Sequence, residues 1–220
     1  MHRTGMPRML LSAVVATLLL TQVGCVGLLT NLLYPGHMIP AAYDGLNSQK
    51  VAVVCVSTES IQSPYSTSTL LARKIHGMLQ RKVKEIELID EDKVADWIDN
   101  NDWDQVDHGY RKIGEGVGAD KVVAVEVSSY SLHDGGTMFK GRCTVDVAVY
   151  DMVEGGKRLL ILDSLPVVYP ANGGLSTTTM SDREFRDDFL KVVAHEVAKN
   201  FYRHDLKEDM ALDATHISHR

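Results

Sequence analysis

Cys25 carries the plainest chemistry in the chain. Its thiol follows Val23-Gly24, and upstream lie a twelve-residue apolar run, Met9 to Leu20, and two basic residues, Arg3 and Arg8. Basic, then apolar, then a small residue before a cysteine is the order of a bacterial secretory signal of the lipoprotein type. The expected chemistry is attachment of a diacylglycerol to the Cys25 sulfur and cleavage after Gly24, making Cys25 the new N-terminus. Two features favour other readings. Gln22 stands where an aliphatic residue is usual, and Met9 to Leu29 carries no charge over 21 residues, enough to span a hydrocarbon core. An uncleaved membrane anchor and ordinary release by signal peptidase are therefore the rivals. In all three the basic residues stay cytoplasmic and the body is exported.

Other candidate chemistry dissolves on inspection. Gly114-Glu115-Gly116-Val117-Gly118 has the glycines of a phosphate loop, but such loops need a strand before and a helix after. Here the order is helix, glycines, strand, as at a helix C-terminus. His195-Glu196 begins like a zinc-protease helix, yet Lys199 occupies the place of the second histidine, and His204 falls on the opposite helix face. Asp102, Asp104 and Asp107 do not fit a calcium loop, since Val106, Asp107 and Ile113 stand where a ligand, Gly and Glu are required. Acidic residues ahead of a helix suit its macrodipole instead. No Gly-x-Ser-x-Gly elbow occurs, and Asp151 and Asp163 have no recognisable partner. No catalytic, cofactor-binding or metal-binding residue is expected, so Cys25 is the one candidate site.

The elements that follow are those of one layered domain. Val26 to Gln49, broken by Pro35, Gly36 and Pro40, reads as a tether, apolar in part through Leu28, Leu29, Leu32 and Leu33. Val51 to Val56 is a continuous β-rich run, as for a strand covered on both faces. Helical spacing marks Thr69–Lys84, and Glu85–Ile89 alternates as a short strand. Asp90 caps a helix carrying Val94, Trp97 and Ile98, and another helix runs from Gln105 to Glu115. Lys121–Leu132, Arg142–Met152 and Arg158–Tyr169 are β segments split by Gly135-Gly136 and Gly155-Gly156, hence antiparallel hairpins. Ser181 and Glu184 form a capping box opening the last helix. The expected fold is α/β with α+β character: a single mixed sheet, elements in the order β-α-β-α-α-β-β-β-α, parallel in its first half, then an antiparallel three-stranded meander, with helices packed on it. The expected division is residues 1–24 signal peptide, 25–49 lipidated N-terminus and tether, 50–204 one α/β domain, and 205–220 a polar tail.

Composition bounds the function. The chain has 45% hydrophobic and 24% charged residues, ordinary for a globular core. Without residues 1–24, 21 basic side chains face 29 acidic ones, a net of −8. A nucleic-acid partner is excluded, since it would need a basic footprint. Cys55 and Cys143 lie in expected strands and read as small buried hydrophobes; a third strand between them would put a disulfide out of reach. Tyr65, Tyr110 and Tyr169, near loops or element ends, are possible interface anchors, with core packing the commoner role of such residues.

Three segments carry a family resemblance: Val51-Ala52-Val53-Val54, then Val117-Gly118-Ala119-Asp120-Lys121-Val122-Val123 before a strand ending at Tyr130, then Val145 to Asp151 followed by Gly155-Gly156-Lys157. Together, over Lys50 to Tyr202, they resemble the LpoB-like bacterial envelope lipoproteins, related to the TolB N-terminal domain and to the CsgG secretion lipoproteins. The resemblance implies a non-enzymatic protein held to the outer membrane, in preference to the inner, by lipid on Cys25 (the palmitate class of modification). It also implies an envelope protein partner, such as a synthase or a secretion machine. Hairpin loops of a few residues argue against a pore. The alternatives are a periplasmic hydrolase, with His76, His108 or His133 beside carboxylates in a deep pocket, and a self-associating structural component.

Overall fold

The computed structural model describes residues 38–57, 66–103 and 107–205. Cys25, the signal region, Tyr65, Asp104 and the tail after Asp205 lie outside the described residues. The elements are β1 (Met38–Ile39), β2 (Lys50–Ser57), α1 (Thr67–Lys82), β3 (Glu87–Leu88), α2 (Glu91–Asn100), α3 (Asp107–Val117), β4 (Lys121–Asp134), β5 (Met138–Asp151), β6 (Lys157–Tyr169), β7 (Leu175–Ser176), α4 (Asp182–Ala198) and β8 (His204–Asp205). The main sheet has the order β3-β2-β4-β5-β6, with β7 pairing on β5. β2 runs parallel to β3 and β4, while β4, β5 and β6 form an antiparallel meander. The mixed sheet and its four packed helices are the expected α/β fold.

Each strand feeds two cores because successive side chains point to opposite faces. Val51 and Val53 join one cluster with Leu71, Ile75 and Leu79 of α1 and Phe185, Phe189 and Val193 of α4. Ala52, Val54 and Val56 join the other with Val94 of α2 and Tyr110 and Ile113 of α3. Burial on both sides explains the unbroken apolar run in β2. Cys55 and Cys143 are free thiols. β4 separates their strands, so two strand spacings, about 10 Å, lie between them, beyond the reach of a disulfide. Burial pushes the Cys143 thiol up to about 12 and the Cys55 thiol up as well.

Caps form as the sequence indicates. Ser66 Oγ accepts from Thr69 N and Asp90 Oδ1 from Asp92 N, and Ser181 with Glu184 completes a capping box at α4. The glycine run closes α3 as expected, with Gly114 and Gly116 in its last turns. A Cβ on Gly116 would strike the Trp97 indole and one on Gly114 the Met152 thioether, so these glycines let α3 close on its neighbours. Gly118, at φ +73°, turns the chain out of the helix.

The expected boundary at residue 50 is corrected. Residues 38–49, read as tether, lie on the domain. Met38 and Ile39 pair antiparallel with Asp205 and His204, which also takes Asp205 out of the expected tail. Tyr43 N donates to Asn200 O, Lys84 N to Asn47 Oδ1, and Ser48 Oγ to Glu85 Oε2. Leu46 is fully buried in the first core. The physical reason is one apolar side chain buried in the core, with local hydrogen bonds on either side.

Candidate binding groove

α1 and α4 lie side by side on the first sheet face and run in the same direction. Leu70 shares a groove with Met180 and Arg183, Lys74 Nζ lies 2.5 Å from Asp187 Oδ1 one turn further on, and Lys82 sits 5.6 Å over the Tyr202 ring at the far end. The helix N-termini, capped by Ser66 and Ser181, therefore share one end of the domain. The C-termini share the end at which Met38 enters.

Between the N-terminal halves lies a groove of about 720 Å³, lined by Leu70 and Met180 and by charges of both signs. Its carboxylates are already committed. Asp187 takes hydrogen bonds from Lys74 and from Lys191, and Asp188 from Lys191. Burial works to raise the Asp187 carboxyl, but those lysines outweigh it and hold it below the usual range. Hydrogen bonds to Asp187 and Asp188 in turn raise the Lys191 ammonium. Glu184 is lowered by the backbone N–H and hydroxyl of Ser181. Arg183 and Arg186, by contrast, make no hydrogen bond or ion pair among the described residues, and Arg183 is exposed. Two unpaired guanidiniums beside a pair of helix N-termini form a positive feature on an acidic protein, suited to carboxylates of a partner.

The residues weighed for catalysis do not converge. His76 Nδ1 is 3.5 Å from Glu91 on α2, His133 Nε2 is 3.3 Å from Asp182, and His108 is exposed on α3. None of them lines this groove. Nor do they line a smaller one of about 200 Å³ on the opposite sheet face, where Tyr110 Oη donates to Glu126 at 2.7 Å and Ser164 N to Asp146 at 2.7 Å. His195 is buried on α4. No group of three metal-ligating side chains occurs among the described residues, and none of their helices is long and apolar enough to cross a membrane.

Tyr110 and Tyr169 are almost wholly buried, the core role that is commoner for such residues: Tyr110 stacks on Tyr150 and Tyr169 on Phe185. One expectation is corrected here. Asp151 does have a partner. Its Oδ2 accepts from Lys121 Nζ at 2.8 Å, both side chains being about nine-tenths buried. Burial would raise Asp151, but hydrogen bonds from Lys121 and from the Glu154 and Val153 amides lower it. Burial would lower Lys121, which Asp151 and Tyr43 instead raise. The Tyr43 phenol of the N-terminal segment thus lies near enough to act on this buried ion pair.

No family model matches the chain, and no curated protein matches it. Among solved structures it is similar to lipoprotein GNA1162 of Neisseria meningitidis, at 15% identity over 68% of this chain and 97% of that one, TM-score 0.43. It is also similar to the PelC dodecamer of Paraburkholderia phytofirmans (12%, 77% and 99%, 0.38) and to the LpoB C-terminal domain of Salmonella enterica (12%, 57% and 86%, 0.35).

Proposed function

We propose that this is a non-enzymatic envelope lipoprotein, anchored by lipid on Cys25 in the outer membrane with its domain in the periplasm. It acts by binding an acidic segment of a protein partner, as accessory or activator of an envelope synthesis, assembly or secretion machine. The observation that carries the docking surface is the α1–α4 groove, where Asp187 and Asp188 are paired with lysines and Glu184 with Ser181 while Arg183 and Arg186 are left for a ligand. The signal order before Cys25 supports the anchor.

The test is affinity capture from solubilised envelopes with wild type and the Arg183→Glu/Arg186→Glu double variant. A partner retained by wild type and lost from the variant, with thermal stability unchanged, is the expected result. Equal recovery by both proteins would remove the groove from the reading. Fatty-acid labelling that persists in Cys25→Ala would remove the anchor.

A further inference from the structure

Where the chain enters the domain decides how far the domain can stand from its anchor. Folding of residues 38–49 onto the core leaves residues 26–37, twelve in all, between Cys25 and Met38. Fully extended these span at most about 43 Å. They include Leu28, Leu29, Leu32 and Leu33, side chains that favour the headgroup boundary over open water and draw the domain closer still.

The end that faces the anchor has its own chemistry. A groove of about 440 Å³ opens within two residues of Ile39, its lining running from Pro40 and Ala41 to Lys82, Lys84, Tyr202 and Arg203. Arg81 extends the basic series along the last turn of α1, and Arg81, Lys82, Lys84 and Arg203 are all exposed. Asp44 lies in the same groove and Glu85 beside it, the latter accepting from Ser48. Arg81 and Lys82 sit at the C-terminal end of α1, where they complement its dipole, and Lys82 keeps its exposure while lying over the Tyr202 ring. In a mature chain of net −8, a basic cluster at the entry point of a short apolar linker is charge placed where a membrane surface must be.

We propose, resting on the Cys25 anchor, that the domain docks through this end onto anionic phospholipid headgroups and is not carried on a free tether. Each basic side chain near an anionic leaflet contributes weakly. Tethering within about 43 Å supplies the effective concentration that makes weak contacts sufficient. The occupant of the Lys82–Lys84–Arg203 groove is thus the phosphate surface of the membrane that holds the lipid.

The test uses the full lipidated protein in vesicles containing acceptor-labelled lipid. A donor fluorophore is placed either at Ala42→Cys, beside the groove, or at Gly136→Cys, in the β4–β5 turn at the other end of β4. Both positions are exposed and Gly136 has open space around it. In vesicles with phosphatidylglycerol, energy transfer should be high at position 42 and low at position 136. Transfer at 42 should fall when phosphatidylcholine replaces phosphatidylglycerol, and when salt is raised from about 0.1 M to 1 M, which shortens the screening length from ~10 Å to ~3 Å. The Lys82→Glu/Lys84→Glu/Arg203→Glu variant should lower it in the same way. Transfer at 42 that is indifferent to lipid charge, salt and charge reversal overturns the docking while leaving the anchor standing. Because the lipid and salt arms use the wild-type patch, a variant that fails to fold does not rescue the proposal. Absence of fatty-acid label on the purified protein overturns the anchor and the docking together.

Discussion

Leu46→Ala separates a tether from a folded segment. Leu46 is fully buried in the first core, between exposed or half-exposed neighbours. Burying a leucine side chain stabilises by roughly 1.5–3 kcal/mol, and truncation in a packed core adds a cavity cost, giving about 2–5 kcal/mol for Leu→Ala. About 3 kcal/mol, inside that range, is the working value. For a domain of this size each kcal/mol lowers the melting temperature by about 2–4 °C, so the expected shift is about 6–12 °C. The assay is urea unfolding of the purified protein followed by circular dichroism, with melting as a second readout. Ala42→Ser, at an exposed position in the same segment, is the control and should stay within about 0.5 kcal/mol. If residues 38–49 were free linker, Leu46→Ala would behave like that control. A loss below about 0.5 kcal/mol for Leu46→Ala would therefore refute docking of the segment.

The buried Lys121–Asp151 pair gives stability with a defined pH window. The Asp151 carboxyl is lowered from 3.8, so its contribution is present above that value and lost as pH falls through its folded pKa. Lys121 is raised from 10.5, so its contribution is present below that value and lost as pH rises through its folded pKa. Urea midpoints from pH 3 to 11 should fall at both ends. Asp151→Asn, leaving the ammonium without its counter-ion, should cost about 2–3 kcal/mol near neutrality and flatten the acid limb. Gly141→Ala should destabilise by about 1–3 kcal/mol, measured the same way, because the added methyl would lie 2.5 Å from the fully buried Phe189 ring. Cys143 should resist a thiol reagent at pH 8 in the native state and react in urea, since it is buried and burial raises its thiol. Native reaction at the unfolded rate would contradict that burial.

What was legible in the sequence was whatever local spacing encodes. The run Val51–Val56 announced a doubly covered strand, and Ser181-x-x-Glu184 announced the start of α4, because both signals are complete within one turn or strand. Leu46 was not legible: a single leucine between Gly45 and Asn47 has no periodicity, and its burial depends on a core assembled from distant segments. The Lys121–Asp151 pair was hidden for a different reason, since its partners stand thirty positions apart, yet a signal existed. A hairpin folded about Gly136 sets the fifteenth residue on one side against the fifteenth on the other, and these are Lys121 and Asp151. The groove was out of reach, because no helical stripe states which other helix it will lie against. The glycines of α3 marked the helix end, but their close approach to Trp97 and Met152 is a tertiary demand that spacing does not state.

The common direction of α1 and α4 ties the two proposed surfaces together. Both helices end beside Met38 and begin at the groove that carries Arg183 and Arg186. The seventeen residues of α4 span about 26 Å at 1.5 Å each. With the domain docked at its Met38 end, as proposed, Arg183 and Arg186 would stand up to about that far above the headgroups. Even with the linker fully extended, the groove reaches no more than about 70 Å from the membrane surface. A partner must bring its acidic segment into that shell. Lengthening the linker between residues 26 and 37 should therefore leave capture by a soluble partner unchanged, while altering engagement of one fixed in the membrane.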